Sequence, residues 1–428
     1  MAKKLIYSAI VICLIASASL IVIAFARGYR FDFQNNNLTS TGILAIASSP
    51  DGASVYTNGK LVTATNSSIN LEPDWYDVKV VKEGYIPWQK RLRIQGEIAT
   101  KISALLIPIN PTLKPLTSLG VINPVLSSSQ TQLAYVVPFD ASASAELQRK
   151  AGIYIWNLKE GPVIPIGSGP RHIAFSNAFL DFTNAKLLWS PDERELLASF
   201  FSDDTLLSTY LLNTELIEQT PTITTNTLPT ILNNWQTLVD EKNTTLMAGL
   251  PRKVRQMFDS KVANLRFAED ETKFMYDATS SATLPLIIDP PLIGANSTKE
   301  NRIITPGNSY IYDLKEDKNF LIKEGTPTPT PTPSPPELLL PATPLLTEWM
   351  DRGDRNLFWY PDSKHIVVIE KDTIYIAEYD GQNKTTVYAG PFENSFVFPW
   401  PSGGRILILT NLNRAASLSP NLYAVDIR

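Results

Sequence analysis

Apolar and polar positions alternate along most of this chain, and three stretches break the rhythm. Leu5 to Ala26 carries no charge at all. The segment 228–262 places Leu228, Ile231, Leu232, Trp235, Leu238 and Val239 on one helical stripe, and 325–344 is a Thr-Pro run. The rest has a period near two, the signature of strands. From Thr41 to about Pro108, "GILAIASSP" sets Ile43, Ala45 and Ala47 against Leu44 and Ile46. "ASVYTNGK" is a short strand running into Asn58-Gly59, a strong two-residue hairpin signal. "WYDVKVVKEGY" gathers Tyr76, Val78 and Val80 on one face and stops at Gly84, and "KRLRIQG" and "ATKISALLIP" supply two further strands. This reads as a small all-β domain.

Between 111 and 428 a looser unit repeats: an apolar strand, a polar turn, a second apolar strand, then an aromatic strand. Its copies begin at "LSSSQTQLAYVV", "LLWSPDERELLASF", "LRFAEDETKFMYDA", "LFWYPDSKHIVVIE" and "FVFPWPSGGRILILT". Such units bury both faces only by stacking on one another. The 228–262 stripe, with Pro229 and Pro251 at first-turn positions and Leu250, Val254 and Phe258 on a second helix, predicts a helical hairpin packed on the flank of that array. Partner binding is its other use. The Thr-Pro run is expected to be an extended exposed loop, with an O-glycosylated stalk or wall spacer as the alternative.

The uncharged N-terminal run is about 22 residues, roughly 33 Å of helix and enough for a bilayer. Lys3 and Lys4 precede it, and Arg27 and Arg30 follow. The expectation is an uncleaved single-pass anchor over 1–30 with a juxtamembrane linker at 31–40. Its N-terminus is cytoplasmic and the bulk of the chain extracytoplasmic. A cleaved signal peptide stays open, because Ala16-Ser17-Ala18 and Ala24-Phe25-Ala26 both fit a processing site. Ile12 disfavours a lipoprotein reading of Cys13, the single cysteine, and no intramolecular disulfide is possible. Beyond Arg30 the chain has 34 basic against 42 acidic residues and no basic cluster, which argues against nucleic acid as a partner.

"PDGASVYTNGK" followed by "LEPDWYDVKVVKEGYIPWQKRLRIQGE" resembles the PEGA domain, with Pro50-Asp51-Gly52-Ala53 in place of Pro-Glu-Gly-Ala and Asp74 where the family commonly has Gly. The resemblance covers roughly 41–108 and implies an extracytoplasmic β-module of microbial surface proteins without known catalytic residues. The turns Trp189-Ser190-Pro191-Asp192 and Trp359-Tyr360-Pro361-Asp362 are similar to those of TolB-like β-propellers, whose next residue is often Gly; here it is Glu193 or Ser363. The fold expectation is mainly β: a transmembrane helix, a PEGA-like domain, then over 111–428 a β-propeller of about six blades. A β-sandwich array is the alternative.

No chemistry stands out. His172 and His365 have no metal-ligand spacing and read as surface or strand residues, and Asp351, Asp354 and Asp362 lack the alternation of a Ca²⁺ loop. Asp203-Asp204 and Glu316-Asp317 read as loop charges. There is no nucleophile elbow, phosphate loop or zincin motif, so no catalytic, cofactor-binding or metal residues are assigned and no cofactor is expected. Trp156, Trp189, Trp359, Trp400, Tyr154, Tyr310, Tyr375 and Tyr423 read as packing within the repeats, and Trp75 and Trp88 as structural residues of the small module. The expected function is a membrane-anchored binding or scaffold protein of the cell envelope. Its partners would be wall polymer, surface glycan or another envelope protein. The alternative is a propeller-type glycan hydrolase or lyase with facing carboxylates at the blade ends.

Overall fold

The computed structural model describes residues 2–26, 29–32, 37–159, 169–203, 205–258, 261–325, 356–393, 396–412 and 419–428. The N-terminal run forms one helix, Ala2–Ala26. Its side chains are described at Tyr7 and continuously over 10–23, and all of these are exposed. Among the described residues no helix is long and apolar enough to cross a membrane. The expected linker contains structure: Tyr29–Asp32 pairs antiparallel with Asn37–Ser40. The Tyr29 hydroxyl donates to Glu97 Oε1 at 2.5 Å, joining this hairpin to the module that follows.

That module packs two sheets face to face. Gly42–Ser49 lies between Ser67–Leu71, antiparallel, and Ala99–Leu105, parallel. The second sheet runs Lys60–Ala64, Ser54–Thr57, Trp75–Val81, Trp88–Arg93. Leu44, Ile46, Val55, Val78, Val80, Trp88, Leu92 and Ile102 form one core between them, the faces the alternation requires. Asn58 and Gly59 both take positive φ, as a type I′ hairpin needs, and the Asn58 side chain also accepts the Asp77 N–H at 2.9 Å. Asp74, by contrast, is not in the left-handed region, so this turn has no need of Gly there.

Beyond Pro108 the described residues form five four-stranded antiparallel sheets, where the spacing predicts about six. The first holds Ile122–Leu126, Gln132–Val137, Gly152–Asn157 and Arg171–Phe175; the second holds Lys186–Trp189, Glu195–Ser202, Thr205–Asn213 and Thr222–Ile223. The third holds Val262–Phe267, Lys273–Ala278, Ser309–Asp313 and Lys318–Lys323; the fourth holds Leu357–Trp359, His365–Glu370, Thr373–Glu378 and Thr385–Ala389. The fifth takes Val397–Pro399, Arg405–Thr410 and Asn421–Asp426 from the C-terminus and adds Thr112–Pro115 as its outer strand. A long excursion between two strands of the third sheet, carrying the small pair Ala282–Thr283 and Ile303–Ile304, uses length that a sixth unit would need.

The sheets stack through alternate faces of one strand each. In the first, Leu133, Tyr135 and Val137 pack with Phe398, Trp400 and Leu407 of the fifth, while Ala134 and Val136 pack with Leu187, Trp189 and Leu196 of the second. In the fourth, Val367 and Ile369 face the fifth sheet, and Ile366 and Val368 face Met275 and Ile311 of the third. Burial on both faces is why "LAYVV" and "HIVVIE" are continuously apolar. The resulting order is second, first, fifth, fourth, third. A closed propeller is not formed by sheets alone among the described residues.

The two end faces are covered by the helical insertion. Leu228, Leu232 and Trp235 of Leu228–Gly249 pack on Leu188 and Leu197 of the second sheet. Met247 and the following helix Arg252–Phe258, through Val254, Met257 and Phe258, pack on Phe274, Tyr276, Tyr310 and Tyr312 of the third. The hairpin expected on a flank therefore sits where the second and third sheets would otherwise meet. Its stripe ends early, since Leu238 is exposed.

One turn geometry closes the first hairpin of every sheet. Gln130, Glu193, Glu271, Ser363 and Gly403 occupy its fourth position, all with φ between 53° and 72°. Side chains at this turn also tie neighbouring sheets: Glu193 accepts from the Ser129 N–H and hydroxyl, and Ser363 Oγ accepts the Asp270 N–H at 3.1 Å. Just before the turn, Trp189 Nε1 donates to Val125 O and Trp359 Nε1 to Arg266 O, each at 3.0 Å.

Candidate functional site

A dense polar group lies where the small module meets the five-sheet array. On Trp88–Arg93, Trp88, Lys90 and Leu92 share the inward face; Trp88 and Leu92 join the module's core, and Lys90 between them reaches the turn after Thr373–Glu378. Lys90 Nζ donates to Glu378 Oε2 and Asp380 Oδ2, both at 2.5 Å. Trp88 Nε1 donates to Glu378 Oε1 at 2.6 Å, the Asn383 amide to the same oxygen at 2.9 Å, and the Gln89 N–H to Asn383 Oδ1 at 3.1 Å. From the excursion of the third sheet, Asn296 Nδ2 and Thr298 Oγ1 donate to Asp380 Oδ2 at 2.8 and 2.7 Å. Asn296 also gives its N–H to Glu316 and accepts from Lys318 Nζ. Three elements distant in sequence thus converge on one carboxylate.

Burial opposes every charge here, and pairing reverses it. Burial would raise the Asp380 carboxyl, but the charge and hydrogen bond of Lys90, with Thr298 and Asn296, hold it below the usual carboxylate range. Burial would lower Lys90, and Glu378 and Asp380 hold it above the usual lysine value. Burial raises Glu316, and Asp313 nearby adds to that against the Asn296 N–H. Burial, then the charges of Glu316 and Asp313, push the Tyr379 phenol far up, so it stays protonated. The adjoining concavity, between Trp88, Leu105, Ile107, His365 and Ile376, holds about 10 Å³, room for one water at most. With its acceptors engaged and no space for a substrate, the cluster works as an adhesive between modules.

Of the residues singled out by sequence, Trp88 and Glu316 lie in this cluster, and the others fall elsewhere. His365 is buried, and its Nδ1 pairs with Asp362 Oδ2 at 2.6 Å, while Asp362 Oδ1 accepts the backbone N–H groups of Lys364 and His365. Burial would raise Asp362, and His365 with these N–H groups holds it low, as a turn-closing carboxylate. His172, half-buried, stacks on Tyr154 at 4.4 Å, and burial lowers its pKa; both histidines are strand residues, of Arg171–Phe175 and His365–Glu370. Asp317 is buried too, bonded by Tyr312, Arg302 and the N–H groups of Ile287 and Ile288, and is no loop charge. Asp351, Asp354, Asp204 and the Thr-Pro run after Gly325 lie outside the described residues. Trp189, Trp359 and Trp400 are buried in the sheet junctions, and Tyr310 is buried under the helix Arg252–Phe258. Among the described residues no three His, Cys, Asp or Glu side chains are grouped to hold a metal.

Sequence reasoning missed Lys90, Glu378, Asp380, Asn296 and Thr298. The one local signal was Glu378 closing the apolar strand "TIYIAE", an acid where the alternation asks for a buried side chain. The two tryptophans of the small module also part ways. Trp88 is buried against Glu378, but Trp75 is 41% exposed at the rim of a groove of about 330 Å³ lined by Pro73, Asp74, Arg93, Ile94, Gln95 and Gly96. Neither concavity presents a pair of carboxyl groups.

Comparison with known proteins bears on the two regions differently. No curated protein matches the chain. Among solved structures it is similar to one assigned to TolB from Agrobacterium tumefaciens, at 11% identity and TM-score 0.23, over 90% of this chain and 86% of that one. TolB from Acinetobacter baumannii follows at 10% identity and TM-score 0.23, over 88% of this chain and 63% of that one. The β-propeller domain of the trilobed protease from Pyrococcus furiosus gives 13% and 0.20, over 90% and 96%. At such TM-scores the likeness adds nothing to the sheet order, which stands on its own strand pairings. The family match is confined to the small module: residues 41–110 fit the model of the PEGA domain.

Proposed function

We propose that this protein is a membrane-anchored, extracytoplasmic binding or scaffold protein of a microbial cell envelope. Its PEGA module and an open, propeller-like array of five sheets act as one rigid body that engages wall polymer, surface glycan or another envelope protein. The observation that carries this reading is the buried contact of Lys90 with Glu378 and Asp380. Two modules free to move would leave these charges to water; welded, they present a single surface at fixed geometry. The anchor is supported by the uncharged run from Leu5 to Ala26 and by a helix whose described apolar side chains cover nothing. In this reading the N-terminus is cytoplasmic and the sheets lie outside.

The test is co-sedimentation of the full-length, detergent-solubilised protein with insoluble wall polymer and with membrane extract from an envelope-bearing microbe. Retention above a β-rich control protein is the expected result. No retention on either material would sink the reading.

A further inference from the structure

We infer that the groove beside Trp75 is a binding site for a neutral pyranose unit of a polysaccharide, an inference that rests on the envelope-binding reading above. Trp75 and Arg93 are direct cross-strand partners on the outer face of the four-stranded sheet, and the groove opens past the end of that pair. At about 330 Å³ it lies in the lower range of small-ligand sites, roughly 300–1,000 Å³. An indole with 41% of its surface in water offers an apolar plate of the kind the C–H face of a sugar ring stacks on. Arg91 sits 5.6 Å over the indole but does not line the groove, so it braces the ring from outside the site.

The polar lining selects a hydroxyl-rich ligand. Gln95 Oε1 is buried without a hydrogen-bond partner, an unmet acceptor of the kind folded proteins rarely leave. A hydroxyl donated from the groove satisfies it. Asp74 spends Oδ1 on the Trp75 N–H at 2.7 Å and keeps its other oxygen as a second acceptor, while Arg93, which forms no ion pair among the described residues, supplies donors. The carboxylates also set the sign. Asp74 in the lining and Glu97 just after Gly96 offset Arg93, so an anionic sugar or a lipid phosphate gains no net attraction here. Gly96 is required by close approach, because a Cβ there would fall 2.2 Å from Ser40 Oγ. The groove is thereby braced against the hairpin that follows the N-terminal helix.

The experiment titrates the full-length protein in detergent with chitotetraose, cellotetraose and a galacturonate tetramer, in wild type, Trp75→Ala and Gln95→Ala, with wall-polymer co-sedimentation in parallel. Saturable binding of a neutral tetrasaccharide is expected, weakened at least tenfold by Trp75→Ala and severalfold by Gln95→Ala, with unchanged melting temperatures. Preference for the galacturonate tetramer, or neutral-sugar binding indifferent to Trp75→Ala, overturns the site. If wild type and Trp75→Ala sediment equally with wall polymer, the groove assignment falls while the envelope reading stands. If wild type itself fails to sediment with wall polymer or membrane extract, both fall.

Discussion

The first and second sheets meet directly, whereas the second and third are held apart by helices, although the strands on both sides have the same two-faced apolar pattern. Where sheets meet, Ala134, Val136 and Ile155 interlock with Leu187, Trp189 and Leu196. At the other junction, Leu197 is sealed by Leu228, Leu232 and Trp235, and Tyr276 and Tyr312 by Phe258. A doubly apolar strand specifies that its second face must be covered, not what covers it. Repeat counting on such strands therefore overestimates the number of sheets when a helix does the covering.

The sharpest way to break this equivalence is to open the helical seal. Phe258 is buried among Phe274, Tyr276 and Tyr312 at ring separations of 4.9 to 5.3 Å. Phe258→Ala is expected to lose about 3–5 kcal/mol in urea unfolding, as much as a truncation inside a sheet-on-sheet junction. Leu238→Ala, on the same predicted stripe but exposed, should change stability by less than about 0.5 kcal/mol. Comparable losses for the two would mean that the hairpin is decoration.

A third kind of junction, polar rather than apolar, joins the small module to the array. Asp380→Asn removes one of the two charges facing Lys90 while keeping an acceptor, and should weaken the contact by about 2 kcal/mol. Because Asp380 is held below its unfolded value, its contribution is complete above about pH 4 and fades as pH falls through the depressed folded value. Lys90 is raised, so its share is present up to the ordinary lysine range and fades only as pH climbs through its higher folded value. Hydrogen exchange of the 99–107 segment across acid pH reads this out. The wild type should lose protection below pH 4 and the Asn variant should lose that dependence; parallel profiles would refute the pairing.

These junctions also mark what could be read in advance. The small module was legible because its signals are local: Asn58-Gly59 dictates a turn, and Val78 and Val80 dictate a face. The five repeats were legible for the same reason, as turn plus strand. Neither the helix's seat between sheets nor the meeting of Lys90, Asn296 and Asp380 could be read: the first depends on which sheets the array brings to either side of the helix, and the second on contacts 84 and 290 residues long. Trp75 and Trp88 look alike in sequence, and only the third dimension shows one packed and one presented.

At the sheet-on-sheet junctions a smaller effect separates shape from hydrogen bonding. Trp189→Phe keeps most of the apolar volume and removes the indole donor to Val125 O. The loss expected is about 1 kcal/mol from the stranded carbonyl and the lost volume together. The same change at Trp359, which donates to Arg266 O, should match it within about 0.5 kcal/mol if the two junctions are equivalent.

The smallest predicted effect has the opposite sign. Glu271 takes the left-handed position of the shared turn at φ 53°, where a side chain costs about 1–2 kcal/mol that Gly avoids. Gly in turn raises the entropy of the unfolded chain, so Glu271→Gly should stabilise by only about 0.5 kcal/mol. Ser363 occupies the equivalent position of the fourth sheet at φ 57°, but its hydroxyl accepts the Asp270 N–H from the turn of the third. Ser363→Gly relieves the same strain and gives up that bond, so its net change should be near zero or unfavourable. A thermal-melt comparison decides it: a higher Tm for Glu271→Gly than for Ser363→Gly means that the non-glycine residue at this turn is kept for its link between sheets. Equal gains would mean that the link contributes nothing.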